Sequence, residues 1–435
     1  MPRKTRKVSM QKKHPIAWSL AAVAAVIILA AAVAEQWPKW FAPAGLAVAR
    51  DGELIRFTQA PASIGEYSGR ATAGQFGWIP QKNRTEAFVA TLPGRSLSTA
   101  APGLFRDDDK TQVLLYRAMF KRYRAKYGRD FVVGSQGIGD CVSWGYKHGC
   151  DITLAVDCEL GLVPKDSWIE AATESIYGGS RVEAHGGPPP NGGWGDGSYG
   201  GGASKFLHDY GVAFRIDYPE FGFDLTTYSS RRAKDWGNYG CGGQGDDGRF
   251  DGEAKKHPVR NVALVVDFDE AAAAIKSGYP VPVCSGQGFS SQRDADGFSR
   301  PSGSWSHCMC FIGVRYDRPG LLCLNSWGPS WVGGPKWPDD QPEGSFWVDA
   351  EVATRMLRGR DSFALAGVGG FKWRDLKHGD WVHYDKSGRE RGLAALNLPP
   401  CSGDSFCPGV YDTRAAAIFR QNSLPAILMG IHHEN

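Results

Sequence analysis

The chain of 435 residues is 42% hydrophobic and 22% charged, the balance of a globular protein with a sizeable core, and its length suits one large domain or two ordinary ones. The net charge of +4 comes partly from the first 14 residues, where Arg3, Lys4, Arg6, Lys7, Lys12 and Lys13 lie close together; the remainder is nearly neutral and gives no footprint for a nucleic acid. The 56 glycines and 15 tryptophans are unusual, and the glycines cluster between 178 and 248, which suggests large ordered loops around a site.

In chain order, the basic start leads into an apolar run over 16–34, 19 residues that as a helix would reach roughly 28 Å, enough for a bilayer core. Basic residues on its N-terminal side would hold that end in the cytoplasm and send the rest across. Ala32-Val33-Ala34 before Glu35 equally fits a cleaved signal, so the chain is expected to be membrane-anchored with its main domain outside the cytoplasm, or secreted. A buried globular helix is the remaining reading of the run.

Residues 35–106 read as a spacer or N-terminal extension, with a short strand at 53–57 and a surface-loop sequon at Asn83-Arg84-Thr85. From 107 to 128 the pattern is helical: Asp107, Asp108 and Asp109 start it, Val113, Leu114, Tyr116, Met119, Phe120 and Tyr123 form a stripe, and basic residues crowd its end. This helix belongs either to the main domain, the favoured reading because only a few residues separate it from the glycine-broken loop at 135–140, or to a removable inhibitory segment.

The stretch 135–144 then places Cys141 at the start of a helical pattern, behind a glycine-broken loop that carries Gln136. A helix N-terminus favours a thiolate, and an amide five residues upstream can turn back to meet an oxyanion, so the stretch has the make-up of a nucleophile station. Further helices are predicted at 167–177 and 203–210. Trp194 and Tyr199 within the glycine-proline tract 178–202 indicate a packed loop lining a cleft rather than a linker. Gly243-x-Gly245-x-x-Gly248 spells a dinucleotide fingerprint without the strand and helix it requires, and Asp246, Asp247 and Asp251 read as a solvated acidic turn rather than a calcium loop. From 261 onward strands dominate, at 262–268, 281–286, 306–316, 320–327, 345–349 and 362–368, with a short helix at 269–277.

A thiol nucleophile needs a base. His148 lies two turns along the same helix, about 10 Å away and out of reach. His185 and His208 stay open, but His307 opens a strand whose neighbour carries Asn325, so an imidazole and the amide that fixes its tautomer can meet across one ladder. The ten cysteines leave an odd nine once Cys141 is set aside, so at least one more thiol is unpaired. Cys401 and Cys407 could staple a C-terminal loop. Cys308-x-Cys310 beside His307 hints at zinc, with buried free cysteines as the preferred account.

Together Gln136, Cys141, His307 with Gly313-Val314-Arg315-Tyr316, and Asn325-Ser326-Trp327-Gly328-Pro329-Ser330-Trp331 resemble the papain family of cysteine peptidases over about residues 130–370. The resemblance implies an α+β fold with a helical lobe at about 107–235, an antiparallel, barrel-like lobe at about 260–370, and a site in the cleft between them, with 371–435 an extension of unread role. It further implies an endopeptidase working through a thioester, with no cofactor and a peptide or protein as substrate. Gln136 and the Cys141 N–H would form the oxyanion hole, Asn325 would orient His307, and Trp327 would shield that bond. Gly197 and Ser198 would pair with an extended peptide, Trp305 would line the main specificity pocket, and Trp331 would flank the leaving-group side. Val142 departs from the family's aromatic after the nucleophile, and Ile138 from the cysteine three residues before it. A membrane-anchored binding or assembly protein, inactive or acyl-transferring on the same shell, is the alternative.

Overall fold

The computed structural model describes residues 76–106, 110–186, 195–246, 248–257, 259, 261–376 and 380–382. The 16–34 run, the 53–57 strand, Trp194, Cys401, Cys407 and most of the C-terminal extension lie outside them. Among the described residues no helix is long and apolar enough to cross a membrane.

The architecture is α+β in two lobes. The helical lobe is built on α1 (Lys82–Val89), α2 (Tyr116–Tyr127), α3 (Cys141–Glu159), α4 (Thr173–Arg181), α5 (Gly200–Asp209) and α6 (Ser230–Tyr239). Helix α3 is apolar or small around most of its circumference, and a helix of that kind is buried rather than amphipathic. Its one buried cation, Lys147, is held 2.5 Å from both Asp151 and Glu170.

The second lobe is an antiparallel sheet. The 17-residue β6 (Ser299–Arg315) is its spine, flanked by β5 (Val281–Arg293) and the short β1 (Val113–Leu114), and by β7 (Gly320–Leu324), which pairs in turn with β8 (Ser345–Asp349). No ladder among the described residues joins β8 back to the opposite edge, so the sheet is an open counterpart of the barrel expected. A separate pair, β4 (Asn261–Leu264) with β9 (Phe363–Ala366), closes the end near the helical lobe. Helices α7 (Phe268–Lys276) and α8 (Ala350–Leu357) cover the sheet, each N-capped by an aspartate, Asp267 and Asp349, that satisfies a first-turn N–H.

Several expectations shift. Val113 and Leu114 do not open a helix: they pair with Val314 and Gly313, and the helix begins only at Tyr116. Two adjacent buried apolar residues can serve either element, and the unpaired edge of β6 decides for a strand. Helix α4 runs into the glycine tract because Gly179 lies against the Phe206 ring, where a Cβ would come within 2.1 Å. The sequon falls in α1, with Thr85 buried rather than looped out. Residues 76–106 are packed onto the main domain rather than strung out as a spacer, and Leu376 and Trp381 of the C-terminal extension join the core of the β-rich lobe.

Between the lobes lies a compact apolar cluster that includes Cys141, Val142, Tyr146, Cys284, Cys308, Phe363 and Leu365. Gly145 sets how closely α3 approaches β6, since a Cβ there would sit 2.7 Å from the Met309 carbonyl oxygen and 3.1 Å from the Cys308 sulfur. Gly145→Ala is therefore expected to lower stability by about 1–3 kcal/mol through overpacking, measured by urea denaturation. His257, its ring 4.3 Å from that of Phe214 and tilted 39° to it, is held by burial down to about 4, below its ordinary 6.5. A group whose folded pKa is depressed contributes stability above its unfolded pKa, so stability is expected to fall as pH drops from about 6.5 toward 4 and the imidazole must charge. In His257→Phe that part of the pH dependence of the urea midpoint should flatten.

Candidate active site

Helix α3 places Cys141 at its first turn, and β6 runs alongside it, so the backbone N–H of Cys308 faces the Cys141 thiol. One residue earlier on β6, His307 hydrogen-bonds through Nε2 to Asn325 Oδ1 at 2.7 Å, just beyond the end of β7. Asn325 Oδ1 also accepts the Ser326 N–H at 2.7 Å, which fixes the amide and through it the imidazole. Trp327 covers this bond, its ring 4.5 Å from that of His307 and tilted 36° to it. The bond engages the Nε2 nitrogen of the ring.

The Gln136 loop is tied to the same strand end. Gln136 N–H donates to Ser326 O at 2.9 Å, Ser326 Oγ donates to Gln136 Oε1 at 2.7 Å, and Gln136 Nε2 donates to Ile138 O at 3.0 Å. A short bridge between Ser135 and Trp327 completes the seam. The predicted Gln136, Cys141, His307, Asn325 and Trp327 thus lie on two structural arms, one a loop and helix start, the other a strand and its exit, that are laced to each other by hydrogen bonds.

Three further supports surround the loop before Cys141, of which Tyr228 and Asp196 were not legible in the sequence. Tyr228 Oη donates to Asp140 Oδ2 at 3.0 Å and accepts the Gly137 N–H at 3.1 Å, so one phenol holds both ends of the loop before Cys141. Asp196 Oδ2 accepts the Gly139 N–H at 3.2 Å. Trp144, which stands two places after Val142, lies over Gly134 and packs at 5.1 Å on Tyr228, so the helix start is braced by an aromatic displaced along the chain. Tyr228 and Asp196 sit in polar, irregular stretches with no periodicity to single them out.

The cleft is occupied by the chain itself. Ser198 N–H donates to Gly77 O at 2.7 Å and Ser198 O accepts the Ile79 N–H at 2.7 Å, a parallel bridge, while the N–H groups of Gly77 and Trp78 both reach Ser306 O, at 3.1 and 3.0 Å. Ser198 thus offers its backbone to an extended segment of the chain itself, residues 76–79. Gly197 does not share that role: its N–H donates to Tyr177 Oη at 2.9 Å and its carbonyl accepts from Arg181. Phe76 stands edge-on to His307 at 6.2 Å and to Trp327 at 5.7 Å. The Gly77 and Gly139 backbones meet so closely that a Cβ on Gly77 would come within 1.9 Å of the Gly139 oxygen.

Trp305 lies beneath this segment, 6.4 Å from Phe76 and 4.7 Å from Trp327. Trp331 is deeper, and its indole N–H donates to Gly344 O at 2.7 Å. Both are 3% exposed, so here they form the aromatic floor under His307 rather than open walls of a pocket. His148, His185 and His208 take no part: His148 is enclosed by Phe131 and Trp144, His185 stacks edge-on to Tyr199, and His208 pairs with Asp209. Among the described residues no group of histidine, cysteine or carboxylate side chains could hold a metal ion. At Cys308-x-Cys310 the reason is the strand alternation, which turns His307 to the opposite face from both thiols.

With the segment in place Cys141 is 0% and His307 1% exposed. Burial pushes the Cys141 thiol well above its ordinary value, and the neighbouring Cys308 adds to the shift, against the opposing pull of the Cys308 N–H.

No protein-family model matches this sequence. No curated protein matches it. Among solved structures the chain is similar to xylellain, a cysteine protease from Xylella fastidiosa, at 17% identity and a TM-score of 0.40 over 68% of this chain and 92% of that one. It is also similar to digestive procathepsin L 3 of Tenebrio molitor larval midgut, at 14% identity and 0.38 over 81% and 94%, and to procathepsin B S9 from Trypanosoma congolense, at 11% and 0.37 over 67% and 86%.

Trp78 anchors the segment by its half-buried ring and by a 2.7 Å bond from its indole N–H to Asp361. Trp78→Ala is expected to free the segment and to raise the rate of Cys141 alkylation by iodoacetamide at least about tenfold, the equivalent of about 1.4 kcal/mol of lost attachment. An unchanged rate would mean that some other contact keeps the cleft shut.

Proposed function

We propose that this chain is a papain-like cysteine-type endopeptidase whose described form is closed by its own residues 76–79. The observation that carries the reading is the 2.7 Å bond from His307 Nε2 to Asn325 Oδ1, covered by Trp327 and set on the strand whose next residue faces the Cys141 thiol. His307 takes the thiol proton, the thiolate attacks a peptide carbonyl, and His307 then returns a proton to the leaving amine. The amide of Gln136 and the N–H of Cys141 at the helix start receive the oxyanion. Water activated by the same imidazole hydrolyses the thioester. No metal or cofactor enters this chemistry.

The substrate runs where residues 76–79 now run, so Ser198 supplies backbone pairing and the pocket filled by Trp78 receives a side chain. Trp305 and Trp331 support the site from below. Activity requires that the segment leave, because the nucleophile and the base are both covered in its presence. The basic and apolar residues of 1–34 support a domain held outside the cytoplasm, by an anchor or after secretion. Unaltered localisation after deletion of 1–34 would refute that placement.

The enzymatic reading is tested with a fluorogenic peptide library on the full chain and on Trp78→Ala. Cys141→Ala and His307→Ala, made in the Trp78→Ala background, are expected to lower turnover by at least about 10⁴-fold, and Asn325→Ala by a smaller factor, roughly 10²-fold. Turnover that survives Cys141→Ala would assign the activity elsewhere. Absence of both turnover and covalent labelling of Cys141 by an epoxide in Trp78→Ala would favour a binding protein on the same shell.

A further inference from the structure

We propose that Cys284 and Cys308 form a cross-strand disulfide that pins the strand bearing His307 and keeps Cys308 from reacting with Cys141. The two residues face each other directly in the β5–β6 ladder, between the partners Val283 and Met309 on one side and Ser285 and His307 on the other. Their sulfurs stand 2.6 Å apart, well inside the separation of two unbonded sulfurs, in a site where both residues are 0% exposed.

The ladder geometry favours a bond. The Cys284 N–H donates to Ser362 Oγ at 3.1 Å and the Cys308 N–H faces the Cys141 thiol, so neither points across the ladder at the other residue. This is a non-hydrogen-bonded pair, the type whose Cα atoms lie about 4.5 Å apart, inside the roughly 4.4–6.8 Å range of disulfides. All eight described cysteines are buried thiols in this structure. The position also has chemical consequences. Cys308 is a thiol beside the Cys141 thiol, and Cys141 in turn lies within electrostatic range of Cys284. In an oxidising compartment three neighbouring thiols can pair in ways that consume the nucleophile, and a 284–308 bond leaves Cys141 as the odd, reactive member.

The oxidant is a small-molecule or protein disulfide. A thiolate of the pair attacks it, one of its sulfurs leaves as a thiol after taking up a proton, and a mixed disulfide remains. The second cysteine of the pair displaces the other sulfur, which also leaves as a thiol. Two protein thiols are oxidised, the incoming disulfide is reduced, and both protons depart with the released thiols. Because both sulfurs are enclosed, the exchange takes place before the two lobes close or when the interlobe cluster opens.

The test is disulfide mapping of the full chain, equilibrated with oxidised and reduced glutathione, quenched in acid, blocked with N-ethylmaleimide in denaturant and digested with trypsin. The expected product is peptide 277–293 joined to peptide 294–315 through one reducible bond, with the maleimide on Cys310 by fragmentation. Cys310→Ser should keep the link and Cys308→Ser should lose it. In Cys284→Ala, oxidation should join Cys308 to Cys141. Two alkylated thiols at the most oxidising ratio, or wild-type Cys308 joined to any other cysteine, would overturn the bond, and a free Cys141 in oxidised Cys284→Ala would overturn its protective role. None of these readouts requires peptide turnover, so the outcome is independent of the peptidase reading.

Discussion

One buried carboxylate joins the parts that make the cleft. Asp361, in the loop between α8 and β9 and 3% exposed, accepts four hydrogen bonds: from Trp78 Nε1 at 2.7 Å and Thr85 Oγ1 at 2.9 Å in the N-terminal segment, and from the N–H groups of Gly200 and Gly201 at 2.8 and 2.6 Å at the start of α5. The loop belongs to the β-rich lobe and α5 to the helical lobe. A buried carboxylate is costly without such donors, and two unpaired helix N–H groups carry a cost of their own, so each group satisfies the other. Burial still pushes the Asp361 carboxyl up from its usual range, with all four donors pulling against it. The same residue therefore holds the lobes in register and fastens the segment that shuts the space between them.

The second seam, from Gln136 to Ser326, is polar and lies on the other side of the nucleophile. Between the two seams sits the apolar cluster of Cys141, Cys284, Cys308 and Phe363, which excludes water from the thiol. The placement of α3, which carries Cys141, against β6, which carries His307, thus depends on interlobe contacts rather than on either lobe alone. Gly145 sets the approach of α3 to β6, and Tyr228 sets the loop ahead of it.

The residues of the candidate site were the most legible part of the sequence, because each obeys a local rule: a thiol at a helix start, a histidine on one strand and an asparagine at the exit of its neighbour, an aromatic beside them. Strand β8 was read at its true bounds because its apolar run is short and has clear flanks. Helix α8 was missed beside it, since its stripe of Val352, Ala353, Met356 and Leu357 spans only two turns. Supports that act across the chain were invisible. Asp361, Tyr228 and Asp196 look like ordinary polar residues until folding brings hydrogen-bond partners to them from more than fifty positions away. Residues 76–79 lack any pattern, since a segment that binds by backbone hydrogen bonds needs no particular side-chain period.

The reactivity of the thiol is decided by a comparison of magnitudes. A helix N-terminus stabilises an adjacent anion by about 0.3–1 kcal/mol, and up to ~2 kcal/mol in favourable buried geometry. Removal of water opposes ionisation more strongly, as the upward shift of the Cys141 thiol records. The dipole alone therefore does not ionise Cys141 beneath residues 76–79. In the proposed mechanism an imidazolium on His307 supplies the missing stabilisation, after departure of residues 76–79 has let solvent or substrate polar groups reach the cleft. On that reading, departure of the segment has two effects from one motion: it exposes Cys141, and it restores the dielectric in which the thiol can ionise.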